Sequence, residues 1–261
     1  MSSTIINCKF DAKNLGYRDE CNVILPTAGV TENTKVLYLL HGMSGGCHDW
    51  LANSTIARLA IDYGIAVVMP NAHNSFYADM VYGENFYTYL TVELMDFVQR
   101  TFGLSKKREN NLIAGLSMGG YGAFKIAFNN PHRFYGAGSF SGVLNLVKMP
   151  SLLSGDELQD QAHVKLFTSI FGPDFNVEGT NSDLFHLIKE NKKVEGYGIG
   201  DLDLYQYCGT SDFLYYFNEE FRQLAKEKGL KLTYTSDEQG HAWSAWNQEI
   251  AGFLKHIFAN E

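Results

Sequence analysis

The sequence lacks the features that mark membrane-spanning, secreted or repetitive proteins. No apolar run in its 261 residues approaches the ~18 residues that a membrane helix needs. The N-terminal segment shows no basic stretch followed by an apolar one, so we expect no signal peptide. No internal repeat, low-complexity tract or Pro/Gly/Ser-rich linker divides the chain. These absences predict one domain over residues 1–261 and a cytoplasmic location.

Cysteine is scarce and its spacing carries no known motif. The four cysteines are scattered without CxxC spacing: Cys8, Cys21, Cys47 and Cys208. In a chain of this length they predict reduced thiols rather than a disulfide framework. Cys47 and His48 could contribute to a zinc site, but adjacent residues rarely supply two ligands of one tetrahedral centre. We therefore expect no metal site.

Basic residues are outnumbered by acidic ones. The chain has 21 Lys and Arg against 29 Asp and Glu, a formal net charge of −8. Proteins that bind nucleic acid or anionic membranes need positive surface charge. The charge balance therefore argues against both as main partners.

Short apolar runs alternate with longer helical patterns along most of the chain. Nearly continuous apolar runs fit strands that are buried on both faces, and strand–helix alternation predicts right-handed crossovers. The sequence thus predicts an α/β fold with a mostly parallel, doubly wound sheet, preceded by an antiparallel hairpin over residues 5–25. The predicted strands are residues 36–40, 65–69, 112–116, 134–140, 202–208 and 230–235, and the helical patterns are residues 50–63, 88–102, 217–228 and 243–258.

Residues 144–200 break this rhythm. The segment contains Pro150 and Pro173 and is too long for a plain connection between a strand and a helix. It is either a cap over the active site or surface decoration. We favour the cap, because long insertions in open α/β sheets tend to border the ligand crevice. Its large apolar residues are candidates to roof an acyl pocket: Leu152, Leu153, Leu166, Phe167, Phe171, Phe175 and Phe185.

A Gly-x-Ser-x-Gly pattern occurs twice, around Ser44 and around Ser117. A nucleophilic serine of this pattern needs a sharp turn from strand to helix, where its oxygen projects from the sheet. Ser117 directly follows the apolar run 112–116 and opens a helical stretch whose glycines allow close packing on the strand. Ser44 has no helix directly behind it. Ser117 is therefore the predicted nucleophile.

The Ser44 segment has a different predicted task. A His-Gly after a strand, followed by a glycine-rich loop, supplies a donor to the oxyanion of an acyl-transfer intermediate. The predicted donors are the backbone N–H groups of Met43 and Met118. The alternative is that residues 41–46 form only a flexible turn.

The general base must follow the acid in the chain order Ser, Asp, His. Only His241 and His256 lie late enough, and His256 falls inside the terminal helical pattern. His241 lies on a loop after the last predicted strand, where such sheets carry their chemistry. Asp212 follows the strand 202–208, whereas Asp237 lies on the final strand-to-loop stretch. The predicted triad is Ser117, His241 and Asp212.

Four segments that carry these residues are similar to the D-type esterases of the α/β-hydrolase fold. They read LHGMSG at 40–45, GLSMGGYGA at 115–123, CGTSDFLY at 208–215 and GHAW at 240–243. The chain resembles the tributyrin esterases and, more distantly, S-formylglutathione hydrolases and feruloyl or acetyl-xylan esterases. The resemblance implies short acyl esters as substrates, no cofactor, and scope for a homo-oligomer. S-formylglutathione hydrolases usually have a histidine where this chain has Leu116, which disfavours the glutathione thioester.

Together these residues predict a serine esterase that acts on a small-molecule ester of a short acyl chain. Phe76, Tyr77 and Trp243 lie on or beside predicted strand-end loops and are candidates to contact the substrate. Two chemical alternatives are a carbohydrate acetyl or feruloyl esterase and a thioester hydrolase. A non-catalytic binding protein that keeps the fold is an alternative of another class.

Overall fold

An eight-stranded sheet organises the computed structural model, which describes residues 3–152 and 157–259. Its spatial order is β1-β2-β4-β3-β5-β6-β7-β8. Strands β1, β2 and β4 pair antiparallel, and all the other pairs are parallel. The predicted α/β class with a mostly parallel sheet is therefore confirmed. The strands are β1 Ser3–Ala12, β2 Tyr17–Pro26, β3 Val36–Leu40, β4 Ala66–Pro70, β5 Asn111–Leu116, β6 Gly136–Phe140, β7 Asp203–Tyr207 and β8 Leu232–Thr235.

The central strands are apolar because both faces of the sheet are covered. Every residue of β3, β4, β5, β6 and β7 is buried, whereas the edge strand β8 is only half-buried. Parallel sheets take this form because their crossover helices lie on both faces. Each of the six predicted apolar runs forms a strand, and no bound is more than two residues from the prediction.

Helices flank the sheet and fill the insertion. Within the described residues, no helix is both long enough and apolar enough to cross a membrane. Short 3₁₀ turns cover Arg108–Asn110, Leu146–Leu152 and Ile199–Asp201. The helices are α1 Asp49–Asn53, α2 Ile56–Tyr63, α3 Phe86–Thr88, α4 Met95–Phe102, α5 Met118–Asn129, α6 Glu157–Phe171, α7 Leu184–Glu190, α8 Tyr215–Glu227 and α9 Trp243–Phe258, with a π-helical stretch Tyr89–Leu94 between α3 and α4.

Two helical predictions need correction. The pattern over residues 50–63 forms two helices. The helix is interrupted before α2, where the Thr55 N–H donates to Asn247 Oδ1 of α9 at 2.7 Å. The pattern over residues 88–102 starts two residues earlier and includes the π-helical stretch. Long-range contacts and local hydrogen bonding, rather than apolar spacing, set both features.

The insertion packs through an aromatic cluster. The rings of Phe167, Phe171 and Phe175 contact one another with centroids 5.4 to 6.4 Å apart. Phe167 and Phe171 also contact Phe76, at 5.2 and 6.5 Å. The segment is thereby fixed to the body of the protein. Leu153 lies outside the described residues, as does the side chain of Leu152.

Helix α5 packs against the ends of two strands more closely than any side chain would allow. A Cβ built on Gly119 would lie 2.5 Å from the carbonyl oxygens of Leu40 and His41, and one built on Gly122 would lie 2.3 Å from the Tyr77 ring. Glycine in a helix interior costs about 1 kcal/mol relative to alanine. The close approach explains why glycine stands at both positions in spite of that cost.

We expect Gly119→Ala to lower the free energy of unfolding by roughly 1–3 kcal/mol through overpacking, since the atoms that it meets are backbone carbonyls. Urea denaturation measures the change. Gly200→Ala is the matched control, because a Cβ at Gly200 meets nothing within 4 Å. Equal stability of the two variants would show that α5 can move away from β3 at no cost.

Candidate active site

Ser117 occupies a strained turn between β5 and α5. Its backbone has φ 52° and ψ −120°, and its N–H donates to Phe140 O at 2.8 Å. A positive φ is uncommon for residues other than glycine and is held only where the surroundings enforce it. A strand–turn–helix of this form exposes the serine oxygen at the end of the sheet.

The structure brings the three predicted catalytic side chains together. His241 Nε2 lies 3.0 Å from Ser117 Oγ, and His241 Nδ1 lies 2.8 Å from Asp212 Oδ2. His241 comes from the loop between β8 and α9, and Asp212 from the loop after β7. The distances are those of a nucleophile, a base and a group that orients the base.

Asp212 is held as a carboxylate. Burial of its side chain raises its pKa, but hydrogen bonds from His241, the Leu214 N–H and Ser141 outweigh burial, so the pKa lies below its ordinary value. The Leu214 N–H reaches Asp212 Oδ1 at 2.9 Å. A buried negative charge therefore faces His241 Nδ1, where it can stabilise a positive imidazolium.

Ser141, which the sequence analysis did not single out, and the rings of Trp246 and Phe213 support the predicted triad. The Ser141 hydroxyl accepts a hydrogen bond from Trp246 Nε1 at 3.1 Å and helps to lower the pKa of Asp212. The rings of Trp246 and Phe213 contact the His241 imidazole at 4.9 and 4.7 Å. Ser141 follows β6 and has φ 50°, a strained turn that only the fold places beside Asp212.

The loop of residues 41–46 is anchored, not a flexible turn. His41 Nδ1 donates to Gly42 O at 2.7 Å, and His41 Nε2 accepts from the Ala72 N–H at 3.0 Å, which together fix a neutral tautomer. The Tyr77 hydroxyl donates to His41 O at 2.8 Å. At the other end of the loop, the Ser44 N–H donates to Asn74 Oδ1 at 2.6 Å.

The two predicted oxyanion donors adjoin Ser117. A Cβ built on Gly42 would lie 3.5 Å from Ser117 Cβ, so the loop that carries Met43 abuts the serine. Met118 is the first residue of α5, where a helix N–H has no intrahelical acceptor. The Met43 N–H meets no acceptor within residues 3–152 and 157–259. Both groups are thus available to a bound oxygen.

A cavity of about 390 Å³ opens beside the triad, and Trp243 lines it as the sequence predicted. Phe76 and Tyr77 do not line it, so their predicted contact with substrate is corrected. Both are buried: Phe76 packs on the aromatic cluster of the insertion, and Tyr77 lies between His41 and α5. The lining residues are Gly42, Met43, Ser44, Gly45, Asp49, Leu116, Ser117, His241, Ala242, Trp243 and Trp246.

The insertion contributes nothing to this cavity in the part of the chain that the structure describes. Its aromatic residues pack on Phe76 and on one another instead. The walls beside Ser117 come from the oxyanion loop and from the start of α9. A role for residues 144–200 as a roof over the acyl pocket is therefore not supported by the described residues.

The residues rejected at the sequence level have structural tasks. Asp237 Oδ1 accepts from the Tyr207 hydroxyl at 2.7 Å and from the Gln239 N–H at 3.0 Å, which holds the loop that leads to His241. His256 Nε2 lies 2.7 Å from Asp203 Oδ1, remote from Ser117 in the fold. Neither side chain contacts the triad.

Cys47 and His48 meet a third group that the sequence did not suggest. One ligand atom each of Glu20, Cys47 and His48 lies within 4.8 Å of the others. His48 Nε2 is 3.3 Å from Glu20 Oε1, and the Asn22 amide is 2.9 Å from His48 Nδ1. Both ring nitrogens of His48 are thus within hydrogen-bond distance of a neighbouring side chain.

Comparisons with known proteins identify the family. The family described as putative esterase matches residues 12–257. The chain is 33% identical to an acetyl esterase of Caldicellulosiruptor saccharolyticus over 85% of this chain and 82% of the relative.

Solved structures agree with this family in fold. A fluorophosphonate-binding serine hydrolase of Staphylococcus aureus superposes with a TM-score of 0.85 at 29% identity, covering 98% of this chain and 99% of the other. An S-formylglutathione hydrolase of the same organism gives 0.81 at 29% identity, with the same coverage. The chain therefore belongs to the putative esterase family and is a carboxylic-ester hydrolase of the α/β-hydrolase fold.

Proposed function

We propose that the protein hydrolyses esters of short acyl chains through an acyl-enzyme on Ser117. The hydrogen-bonded series from Ser117 Oγ through His241 to Asp212 carries this proposal. Ser117 lines the cavity of about 390 Å³, where an ester could reach the serine oxygen. A binding protein would have no need of this ordered series.

In the first half of the reaction, Ser117 Oγ attacks the ester carbonyl while His241 Nε2 takes the serine proton. The carbonyl oxygen becomes an oxyanion, which the N–H groups of Met43 and Met118 stabilise. Asp212 keeps the imidazole in the tautomer that exposes Nε2 and stabilises its positive charge. His241 then gives the proton to the leaving alcohol, and the acyl group stays on Ser117.

In the second half, water replaces the alcohol. His241 removes a proton from the water, which attacks the acyl carbonyl against the same two donors. Collapse of the intermediate returns the proton to Ser117 Oγ and releases a carboxylic acid. No step needs a group beyond these residues.

The walls of the cavity favour a short acyl group. Leu116, Trp243 and Trp246 line it beside Ser117, and the two tryptophan rings contact each other at 5.4 Å. Trp243 is also braced by Trp50 at 5.2 Å, so the wall cannot yield easily. The acetyl esterase relative supports the same size class.

Thioester hydrolysis is the second candidate. The S-formylglutathione hydrolase superposes over nearly the whole chain, which favours it. Leu116 lines the cavity at the position before Ser117. An apolar side chain there offers no hydrogen bond to a polar thiol carrier, so we propose oxygen esters as the preferred substrates.

We expect Ser117→Ala to lower kcat on p-nitrophenyl acetate by about 10⁴ or more, because the nucleophile is lost. Ser44→Ala is the matched control, since Ser44 stands in the second Gly-x-Ser-x-Gly pattern and should keep most of the activity. A swapped result would move the nucleophile to Ser44. An inactive parent protein would favour the binding-protein alternative.

We expect Asp212→Asn to lower kcat by roughly 10³ to 10⁴, because an amide favours the wrong imidazole tautomer. Asp237→Asn should change kcat by less than about threefold, since one amide oxygen can keep both of the short hydrogen bonds that Asp237 Oδ1 accepts. Steady-state kinetics with matched unfolding curves measure both. Full activity in Asp212→Asn would move the triad acid elsewhere.

We expect kcat/KM on p-nitrophenyl esters to peak between acetyl and butyryl and to fall steeply by octanoyl. Each methylene that fits is worth about 0.8 kcal/mol, whereas one that meets the wall costs roughly 1–3 kcal/mol. A series from acetyl to dodecanoyl, with S-formylglutathione and feruloyl esters beside it, measures this. A maximum at octanoyl or longer would mean an open acyl groove.

A further inference from the structure

A second cavity, of about 290 Å³, lies away from the triad. It is bounded by α5, by the loop and helix of residues 78–87, and by residues 170–182 of the insertion. It shares no lining residue with the cavity beside Ser117. Whatever occupies it therefore does not compete directly for the triad.

Lys125 is the unusual feature of this cavity. It belongs to α5, is only 1% exposed, and its ammonium lies 5.6 and 5.9 Å from the ring centroids of Tyr87 and Tyr121. Its ammonium makes no hydrogen bond within the described parts of the chain. A buried charge without a hydrogen-bond partner is strongly unfavourable unless something in the cavity supplies one.

Asp79 lines the same cavity, but its carboxylate already accepts hydrogen bonds from Thr88. Its two carboxylate oxygens accept from the Thr88 N–H at 2.8 Å and from the Thr88 hydroxyl at 2.7 Å. It acts on Lys125 only by attraction at longer range. Burial lowers the pKa of Lys125 to about 7, and the attraction of Asp79 opposes this shift only in part.

Two further polar side chains, the half-buried Tyr87 and the exposed Asn176, line the cavity beside Lys125. The Tyr87 oxygen accepts from Asn130 Nδ2 at 2.8 Å, and its own hydroxyl proton meets no acceptor among residues 3–152 and 157–259. The side-chain amide of Asn176 likewise makes no hydrogen bond to the described chain. Val81, Ile170 and Phe171 form an apolar wall of the cavity. The lining thus combines a cluster of donors with an apolar surface.

We infer that this cavity is a binding site for a short-chain monocarboxylate, with the carboxylate on the Lys125 ammonium and the Tyr87 hydroxyl and the alkyl chain against Val81, Ile170 and Phe171. The Lys125 ammonium is the single positive charge among the lining residues, which already include the Asp79 carboxylate. A phosphate dianion would add a second charge beside Asp79, so a monoanion fits better. Such acids are also the products of ester hydrolysis, but binding at Lys125 does not depend on whether Ser117 is the nucleophile.

The charge on Lys125 makes binding depend on pH. The titratable groups that face its ammonium are Asp79, Tyr87 and Tyr121, and burial raises the pKa of both tyrosines, so they stay neutral. The ammonium form that binds an anion is present below pH 7 and is lost above it. Affinity at pH 8.5 should be about 30-fold weaker than at pH 6.

Calorimetric titration of the full-length Ser117→Ala protein with sodium butyrate tests the site without turnover. We expect one equivalent of butyrate to bind, with the pH dependence above, and butylammonium chloride to give no signal. Adding Lys125→Met should weaken butyrate binding at least tenfold, whereas Lys255→Met, at an exposed lysine of α9, should not. Val81→Trp places a larger side chain in the cavity and keeps Lys125, and it should also weaken butyrate binding. This variant replaces Lys125→Met in the test if Lys125→Met does not fold.

No butyrate binding, or binding that Lys125→Met and Val81→Trp leave intact, would overturn the assignment. Equal binding of butyrate and butylammonium would do the same, because the cavity would then recognise only the alkyl chain. Tighter binding of phosphate than of butyrate would also overturn it. Since no readout depends on catalysis, failure here is distinct from failure of the esterase proposal.

Discussion

The approach of α5 to the ends of β3 and β5 is the constraint on which the active site depends. Gly119 lets the helix backbone lie against the carbonyls of Leu40 and His41, where a Cβ would be 2.5 Å away. This contact forces Ser117 into its strained turn and brings the first helix N–H beside the oxyanion loop. Were the helix farther out, Ser117 Oγ and the Met43 N–H would no longer share one cavity. The glycines therefore allow the close approach of α5 to the strands, although they lower its helix propensity.

Two hydrogen-bond networks then fix the groups on either side of Ser117. On one side, His41, Tyr77 and Asn74 hold the oxyanion loop at both ends. On the other side, Trp246 and Ser141 hold Asp212, and Asp212 holds His241. Each network contains buried polar groups that are satisfied by one another, which specifies one arrangement. The site can thus keep its donors in place before any substrate arrives.

Features with a local cause could be predicted from the sequence. The strands are continuous apolar runs, the strand–helix context indicated Ser117, and the positions of Asp212 and His241 after predicted strands indicated the acid and the base. Features that depend on distant contacts could not. Ser141 reaches Asp212 only through the sheet, and the break between α1 and α2 depends on Asn247. Phe76 and Tyr77 lie on a strand-end loop, yet they turn into the core.

Lys125 is a charged residue within an otherwise apolar helical stretch. It stands within GGYGAFKIAF, a helical stretch that is apolar on all sides, so a lysine there had to be buried or to face a cavity. Sequence alone could not say which, because the walls come from residues 78–87 and 170–182. The same helix thus carries the turn of Ser117 at its start and, two turns later, a buried lysine whose ammonium lies over two tyrosine rings.

The central claim is that the geometry around Ser117 makes it a reactive nucleophile. Labelling the folded protein with a fluorophosphonate, followed by peptide mass spectrometry, tests this most directly. The account predicts one adduct, on the peptide that contains Ser117, and its loss in His241→Ala. An adduct on Ser44, or none on the folded parent protein, would contradict it.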